Sequence, residues 1–139
     1  MRIRPFEAAD EEALVKLWVA CELTRPWNDP GRDISRKLAD SPALLLVAEE
    51  DGEIVGSVMA GYDGHRGWIN YLAVSPSRQR RGLGRALMVA AEERLATLGC
   101  AKVNLQVRDG NAVARAFYEA IGYEHDPVVS YGKRLVSDE

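Results

Sequence analysis

Apolar residues recur along this chain at spacings that predict four helices. Between Asp10 and Cys21 they fall three and four residues apart, which is the spacing of one buried helix face. The apolar positions of this face are Leu14, Leu17, Trp18 and Cys21. Cys21 is therefore interpreted as a core residue rather than as a reactive thiol. A longer helix is predicted over 82–98 and ends at Gly99, with a buried stripe of Leu83, Leu87, Ala90, Ala91, Leu95 and Leu98.

Shorter apolar runs bounded by turn residues predict the strands. They cover 3–6, 43–50, 53–62, 68–76, 102–107 and 128–136, the last being one strand or a pair. The pair Asp51 and Gly52 is a strong signal for a two-residue hairpin turn. Two further helices are predicted over 34–40 and 111–121, the latter with a core stripe of Val113, Ala116, Phe117, Ala120 and Ile121. The fold class is therefore α/β (α+β), with a mixed, mostly antiparallel sheet of six or seven strands flanked by about four helices.

Length and composition restrict the class of protein. A chain of 139 residues predicts a single domain over 1–139. No apolar run approaches the ~20 residues that span a bilayer, and no apolar segment follows the N-terminal charges as in a signal peptide. The two cysteines, Cys21 and Cys100, match no metal-ligand spacing and fit a reducing compartment. We therefore expect a cytoplasmic protein with no metal and no membrane contact.

The stretch RQRRGLGRAL, at 78–87, gathers positive charge in a chain that has 18 Lys and Arg against 21 Asp and Glu. It lies at the start of the helix predicted over 82–98, where unpaired N–H groups and the helix dipole favour an anion. Its glycines let a phosphate approach the backbone, and Arg78, Arg80, Arg81 and Arg85 add charged donors. A diphosphate suits this donor set better than one carboxylate. The alternative is a solvated turn, and the overall acidity argues against nucleic-acid binding.

Two motifs carry a family resemblance. QRRGLG (79–84) matches [RQ]-x-x-G-x-[GA], and NAVARAFYEAIGY (111–123) matches N-x-x-x-x-x-[FL]-Y-x-x-x-G-[FY], both of the GNAT N-acetyltransferase superfamily. The first motif follows the strand YLAVSP, as it does in that superfamily, so the chain resembles GNAT proteins over nearly its whole length. RPWNDP (25–30) and GYDGHRG (61–67) are similar to a YpeA-like bacterial branch.

The resemblance implies that acetyl-CoA is the cosubstrate. Its pantetheine arm would pair with the strand backbone at Leu72, Ala73 and Val74. Its diphosphate would lie on the turn formed by Gln79, Arg80, Arg81, Gly82, Leu83, Gly84 and Arg85. Asn111 would cap its helix and also reach the cofactor. Tyr118 would contact the cofactor and act as the catalytic acid for the departing thiolate, the alternative being a boundary tyrosine with its hydroxyl in water.

The implied reaction is direct attack of a primary amine on the thioester, without a covalent enzyme intermediate. Gln106 stands where some protein-acetylating relatives carry a glutamate base, and glutamine cannot accept a proton. At pH 7 a lysine amine is neutral in roughly 0.04% of molecules and an α-amine in roughly 10–15%. An α-amine or small amine is therefore expected ahead of lysine. The base stays open between water relayed by Tyr71, Asn70 or Asn104 and a carboxylate such as Asp29 or Asp33.

The segment CELTRPWNDPGRD, at 21–33, is expected to form the acceptor side of the site. There Arg25 would anchor a carboxylate, Trp27 would form an apolar wall and Asp29 would anchor the amine, alongside Tyr71 and Gln106. The alternative is a rigid turn set by its two prolines. The expected partner is a small-molecule or peptide amine, and a homodimer could form through the last strand. The alternative function is a non-catalytic sensor module that binds an acyl-CoA.

Overall fold

The computed structural model describes residues 1–139, which separate into two compact units. The first unit contains Met1–Leu105 together with Asp138–Glu139, and the second contains Gln106–Ser137. The single domain over 1–139 stays a prediction. None of the helices combines the length and the apolar character needed to cross a membrane.

A five-stranded sheet forms the centre of the first unit. Its strands are β1 (Arg2–Pro5), β2 (Leu45–Glu50), β3 (Glu53–Tyr62), β4 (Gly67–Val74) and β5 (Val103–Leu105). They lie in the order β1-β2-β3-β4-β5, with antiparallel neighbours except for the parallel pair β4 and β5. The helices of this unit are α1 (Glu11–Ala20), α2 (Pro30–Asp40) and α3 (Leu83–Thr97). The mixed, mostly antiparallel α/β fold is confirmed.

Alternating side chains on β2 place helices on both faces of the sheet. Val47 belongs to a buried cluster with Trp18 of α1 and Ile34 of α2. A Cβ placed on Gly56, which pairs with Ala48, would lie 2.9 Å from a methyl group of Leu87 on α3. Because successive strand residues face opposite sides, α1 and α2 cover one face and α3 covers the other.

Local capping explains why α2 begins four residues before the predicted position. The Asp29 carboxylate accepts the Arg32 N–H at 3.0 Å, and Pro30 occupies the first helical position. Both features favour a helix start, so Pro30 begins a helix within this segment. The hairpin prediction at Asp51 and Gly52 is confirmed, since both residues adopt the positive φ of a type I′ turn, 52° and 79°.

The buried stripe of α3 differs from the prediction at three positions. The residues buried on this helix are Leu83, Leu87, Met88, Ala91 and Leu95. Met88 was not predicted, whereas Ala90 and Leu98 were: Ala90 is only partly buried, and Leu98 is 53% exposed. The predicted burial of Leu98 is wrong because the helix ends at Thr97 and the chain turns away at Gly99, whose φ is 90°.

The second unit contains one helix, α4 (Ala112–Ala120), and no strand. The strand predicted over 128–136 does not form, so the sheet has five strands rather than six or seven. A strand needs a neighbour to pair its N–H and C=O groups, and this unit supplies none. The apolar residues that suggested the strand are exposed: Val128, Val129, Tyr131, Leu135 and Val136. Val113, expected on a core stripe of α4, is also exposed, at 83%.

A buried ion pair ties β1 to the turn before α1. The Arg4 guanidinium donates to both oxygens of Asp10, at 2.7 and 3.0 Å, and to Glu49 at 2.8 Å. Asp10 also accepts the Glu7 N–H at 2.8 Å. The Arg4 hydrogen bonds lower the pKa of Asp10 against the opposing effect of burial.

Asp10→Asn is expected to reduce the free energy of unfolding at pH 7 by roughly 1.5–3 kcal/mol, the range for hydrogen bonds to charged groups. Because the folded-state pKa of Asp10 is lowered, its ionic contribution is complete above the unfolded value near 4 and is lost as the pH falls through the folded value. The gap between wild type and variant, measured by urea unfolding from pH 7 to pH 2, should therefore shrink below about pH 4. The control is Glu12→Gln, whose exposed pair with Lys16 should contribute little. A gap that is constant down to pH 2 would contradict the assignment.

Candidate active site

A bulge interrupts β4 at Tyr71. The pairing of β3 with β4 shifts between Ser57, opposite Ala73, and Met59, opposite Asn70. Two residues of β4, Tyr71 and Leu72, thus oppose the single intervening residue of β3. Tyr71 has a φ of 51°, in the left-handed region. Glycine normally takes this place in a bulge, because a side chain there is strained by roughly 1–2 kcal/mol.

Three contacts hold Tyr71 in this conformation. Its ring stacks on Trp18 with centroids 3.8 Å apart and planes 11° from parallel. Its carbonyl accepts the Ser57 hydroxyl at 2.8 Å, and its own hydroxyl donates to Asp33 at 2.6 Å. Burial and the Asp33 carboxylate raise the pKa of Tyr71, so the phenol stays protonated at neutral pH. In the sequence Asp33 is a candidate base and Tyr71 a candidate relay for a water, and the fold joins them.

The edge of β4 that follows the bulge has no strand pairing on its β5 side. The parallel ladder ends at the pair Ile69 and Leu105, before the segment Leu72, Ala73 and Val74. At the end of this segment the Val74 carbonyl accepts the Cys21 thiol at 3.2 Å and the Gln79 amide at 3.3 Å. Burial raises the pKa of the Cys21 thiol, as fits its interpretation as a core residue.

The turn between β4 and α3 exposes a run of backbone donors. Gly82 precedes α3 with φ 78° and ψ 8°, and Arg80 is also left-handed, with φ 65°. No backbone N–H from Gln79 to Arg85 donates a hydrogen bond within the protein, whereas the Ala86 N–H bonds to Gly82. Left-handed residues within such a run turn successive N–H groups into a concave donor surface that favours anions.

The four arginines of this turn divide into two groups. Arg78 is half-buried and pairs with Glu50 at 3.1 Å and Glu53 at 3.6 Å, so it fastens the turn to the β2–β3 hairpin. All four arginines are candidate donors to an anion in the sequence, and the contacts with the hairpin carboxylates favour a structural role for Arg78. Arg80, Arg81 and Arg85 are exposed.

Local hydrogen bonds occupy two of the expected acceptor residues. The Arg25 guanidinium donates to the carbonyls of Glu22 and Thr24, both at 2.8 Å. Asp29 caps α2, and its own N–H donates to Asp138 at 2.9 Å. Trp27, between them, is 46% exposed. These contacts favour a turn-building role for Arg25 and Asp29.

The remaining predicted residues, Gln106, Asn111 and Tyr118, lie in the second unit. Asn111 caps α4, since its side chain accepts the Ala114 N–H at 3.0 Å. The Gln106 amide donates to the hydroxyl of Ser130. Tyr118 makes edge contacts with Phe117 and Tyr123, at centroid distances of 5.1 and 5.9 Å. Burial raises the pKa of Tyr118 to about 12.

Sequence reasoning did not assign Ser57 any role and placed Trp18 only in the core. Ser57 is fully buried and bonds to both Trp18 and Tyr71. The available signal was one hydroxyl within the otherwise apolar strand IVGSVMAGY. A buried hydroxyl must find partners, but the sequence does not name them.

The family follows from a comparison with known proteins. A family model described as the acetyltransferase (GNAT) family matches residues 12–123. The chain belongs to this family, and it is an acetyl-CoA-dependent N-acetyltransferase. The YpeA-like branch stays a prediction.

Solved structures agree with this fold. An aminoglycoside antibiotic 6'-N-acetyltransferase from Acinetobacter haemolyticus is 20% identical, with TM-score 0.79 over 98% of this chain and 100% of that one. AAC(6')-Iy in complex with the bisubstrate analogue CoA-S-monomethyl-acetylneamine is 21% identical, with TM-score 0.78 over 96% and 98%. The ribosomal-protein-S18-alanine N-acetyltransferase from Escherichia coli is 26% identical, with TM-score 0.74 over 87% and 76%.

The protonation of Tyr118 can be tested by ultraviolet titration of tyrosinate. Because burial raises the pKa of Tyr118 to about 12, its phenol should stay neutral where an ordinary tyrosine ionises, near pH 10. Wild type and Tyr118→Phe should therefore gain the same tyrosinate absorbance up to about pH 11 and differ only above it. A difference that develops around pH 10 would contradict the burial of this phenol.

Proposed function

We propose that the chain moves the acetyl group of acetyl-CoA to a primary amine by direct attack. The observation that carries this proposal is the run of unpartnered N–H groups from Gln79 to Arg85 beside the open edge of β4. A diphosphate can use many donors at once, which suits this surface. Arg80, Arg81 and Arg85 would add charge-assisted hydrogen bonds. The pantetheine arm would pair with the backbone of Leu72, Ala73 and Val74.

The proposed chemistry assigns few tasks to side chains. Acetyl-CoA supplies an activated thioester carbonyl, and a backbone N–H of Leu72–Val74 would stabilise the charge that develops on the carbonyl oxygen. Tyr118 would give its proton to the departing thiolate, and a pKa raised to about 12 keeps that proton in place at neutral pH. Asn111 would reach the cofactor from its capping position. Neither cysteine is needed.

The acceptor we favour is an α-amine or a small primary amine. The Gln106 side chain is an amide and cannot remove a proton, which handicaps a lysine acceptor more than an α-amine. Trp27 and Tyr71 are the acceptor contacts we favour, because the polar groups of Arg25 and Asp29 already have local partners. Asp33, which accepts from the Tyr71 hydroxyl, also pairs with Arg36 at 3.1 Å through its other oxygen, so its charge already has a partner.

The function is tested by thermal unfolding with acetyl-CoA and by thiol release with amine acceptors. At a hundredfold excess over Kd, acetyl-CoA should stabilise the fold by roughly 2.7 kcal/mol. Thiol release should then be screened with amino acids, polyamines, aminoglycosides and peptides. Absence of binding removes the proposal. Tight binding without thiol release from any amine supports the sensor alternative instead.

The division of the arginines predicts different effects of substitution. Arg80→Gln/Arg81→Gln should raise the Kd for acetyl-CoA about 10- to 100-fold, because two exposed charged donors to the diphosphate are lost. The matched control is Arg78→Gln, which removes the contacts to Glu50 and Glu53 and should lower stability with little change in Kd. Calorimetric titration measures both constants. Equal effects on Kd would mean that the ion pairs of Arg78 do not withdraw it from the anion site.

Tyr118→Phe should lower kcat about 10²- to 10⁴-fold, the usual contribution of a positioned general acid. The Kd for acetyl-CoA should stay nearly unchanged, because the ring and its edge contacts remain. Steady-state thiol release gives kcat, and calorimetry gives Kd. If turnover is unaffected, another group protonates the thiolate.

A further inference from the structure

The conformation of Tyr71 depends on residues outside the two sequence motifs. A left-handed residue other than glycine persists only where its surroundings hold it in place. If Tyr71 relaxed to an extended conformation, the bulge would be lost and the register of β4 would slip by one residue. Such a slip turns every following side chain to the opposite face of the sheet. Ala73, now buried, would then be displaced together with the edge that follows the bulge.

Ser57 fixes the carbonyl end of Tyr71. Its hydroxyl is 2.9 Å from the indole nitrogen of Trp18 and 2.8 Å from the Tyr71 carbonyl oxygen. An indole N–H can only donate, so the Ser57 oxygen accepts from Trp18 and its single proton goes to Tyr71. The direction of each of these two hydrogen bonds is therefore fixed. Ser57 and Trp18 are both fully buried, so no water competes for these bonds.

Trp18 fixes the other end of the same residue. Its ring stacks on the Tyr71 ring while its N–H orients the hydroxyl that holds the Tyr71 carbonyl. We call Trp18 and Ser57 the bulge clamp. The clamp reaches from α1 and β3 to the point of β4 where pairing with β5 has ended.

We propose that the bulge clamp consists of positioning residues for acetyl transfer. By holding Tyr71 left-handed, Trp18 and Ser57 set the direction of the β4 backbone at Leu72–Val74, where the oxyanion donor is proposed. The inference rests on the proposed function and adds two residues that do not touch the substrates. The clamp acts on the thioester end, whereas the donors for the diphosphate lie beyond it, at Gln79–Arg85.

This separation predicts a split between turnover and affinity. Ser57→Ala removes the bond to the Tyr71 carbonyl and should lower kcat about 10- to 100-fold, the cost of misplacing a reacting group by about 1 Å. The Kd for acetyl-CoA should change less than kcat, because the diphosphate donors at Gln79–Arg85 are untouched and only the pantetheine contacts at Leu72–Val74 are displaced. Trp18→Phe keeps an aromatic ring against Tyr71 but loses the indole N–H together with the volume of the five-membered ring. Because the Ser57 hydroxyl remains, its decrease in kcat should be smaller.

The double variant tests whether the two residues act as one chain. Since Trp18 acts on the carbonyl through the Ser57 hydroxyl, Ser57→Ala/Trp18→Phe should lose no more kcat than Ser57→Ala alone. Multiplied losses would show two independent structural effects and overturn the clamp. Leu95→Val, at a fully buried position on α3, is the control for lowered stability and should keep wild-type kcat below its unfolding temperature.

A spectroscopic measurement separates failure of the clamp from failure of the proposed function. Infrared difference spectra with carbonyl-labelled acetyl-CoA report polarisation of the bound thioester even without an acceptor. The thioester carbonyl of acetyl-CoA bound to the wild type should absorb at a lower frequency than that of free acetyl-CoA. When the cofactor is bound to Ser57→Ala, the frequency should lie closer to the free value. An unshifted frequency in wild type, without binding, removes the proposed function. If Ser57→Ala keeps both the shifted carbonyl frequency and the kcat of the wild type, the clamp alone is overturned.

Discussion

Tyr71 occupies a backbone conformation that residues with a side chain avoid, and its carbonyl, ring and hydroxyl each have a partner that keeps it there. Ser57 holds the carbonyl, Trp18 stacks on the ring and Asp33 accepts from the hydroxyl. These partners come from β3, α1 and α2, so three elements converge on one residue of β4. The bulge that results lies at the point where the pairing of β4 with β5 ends. The strand edge at Leu72–Val74 begins directly after this convergence.

The strained residue and the charged turn have different proposed roles. The turn presents N–H groups and guanidinium groups, where the diphosphate is proposed to bind. The bulge orients a neutral backbone edge, which is where reactivity is proposed to reside. Electrostatic attraction is tolerant of small displacements, whereas orientation of a reacting carbonyl is not. This difference fits the burial of the two regions: Arg80, Arg81 and Arg85 are exposed, whereas Trp18 and Ser57 beside Tyr71 are fully buried.

Short-range signals in the sequence predicted the local structure well. Periodic apolar residues placed α1 and α3, and Asp51 with Gly52 placed the hairpin, because each of these features depends on neighbours in the sequence. The errors and omissions concern features that need a distant partner. The strand over 128–136 requires another strand, and the charge of Arg78 is taken up by Glu50 and Glu53 of a hairpin more than twenty residues away.

The sequence by itself determined the family, the cluster of positive charge ahead of α3 and the Asn111 cap of α4. Each is encoded in contiguous residues, such as QRRGLG or the Asn111 that begins α4. Only the tertiary structure decided that Ser57 meets Tyr71 across the sheet, that Asp33 joins the same residue, and that Arg78 pairs with Glu50. These pairings join residues 14, 38 and 28 positions apart. Contacts at such separations are set by strand register and helix packing, which no local spacing specifies.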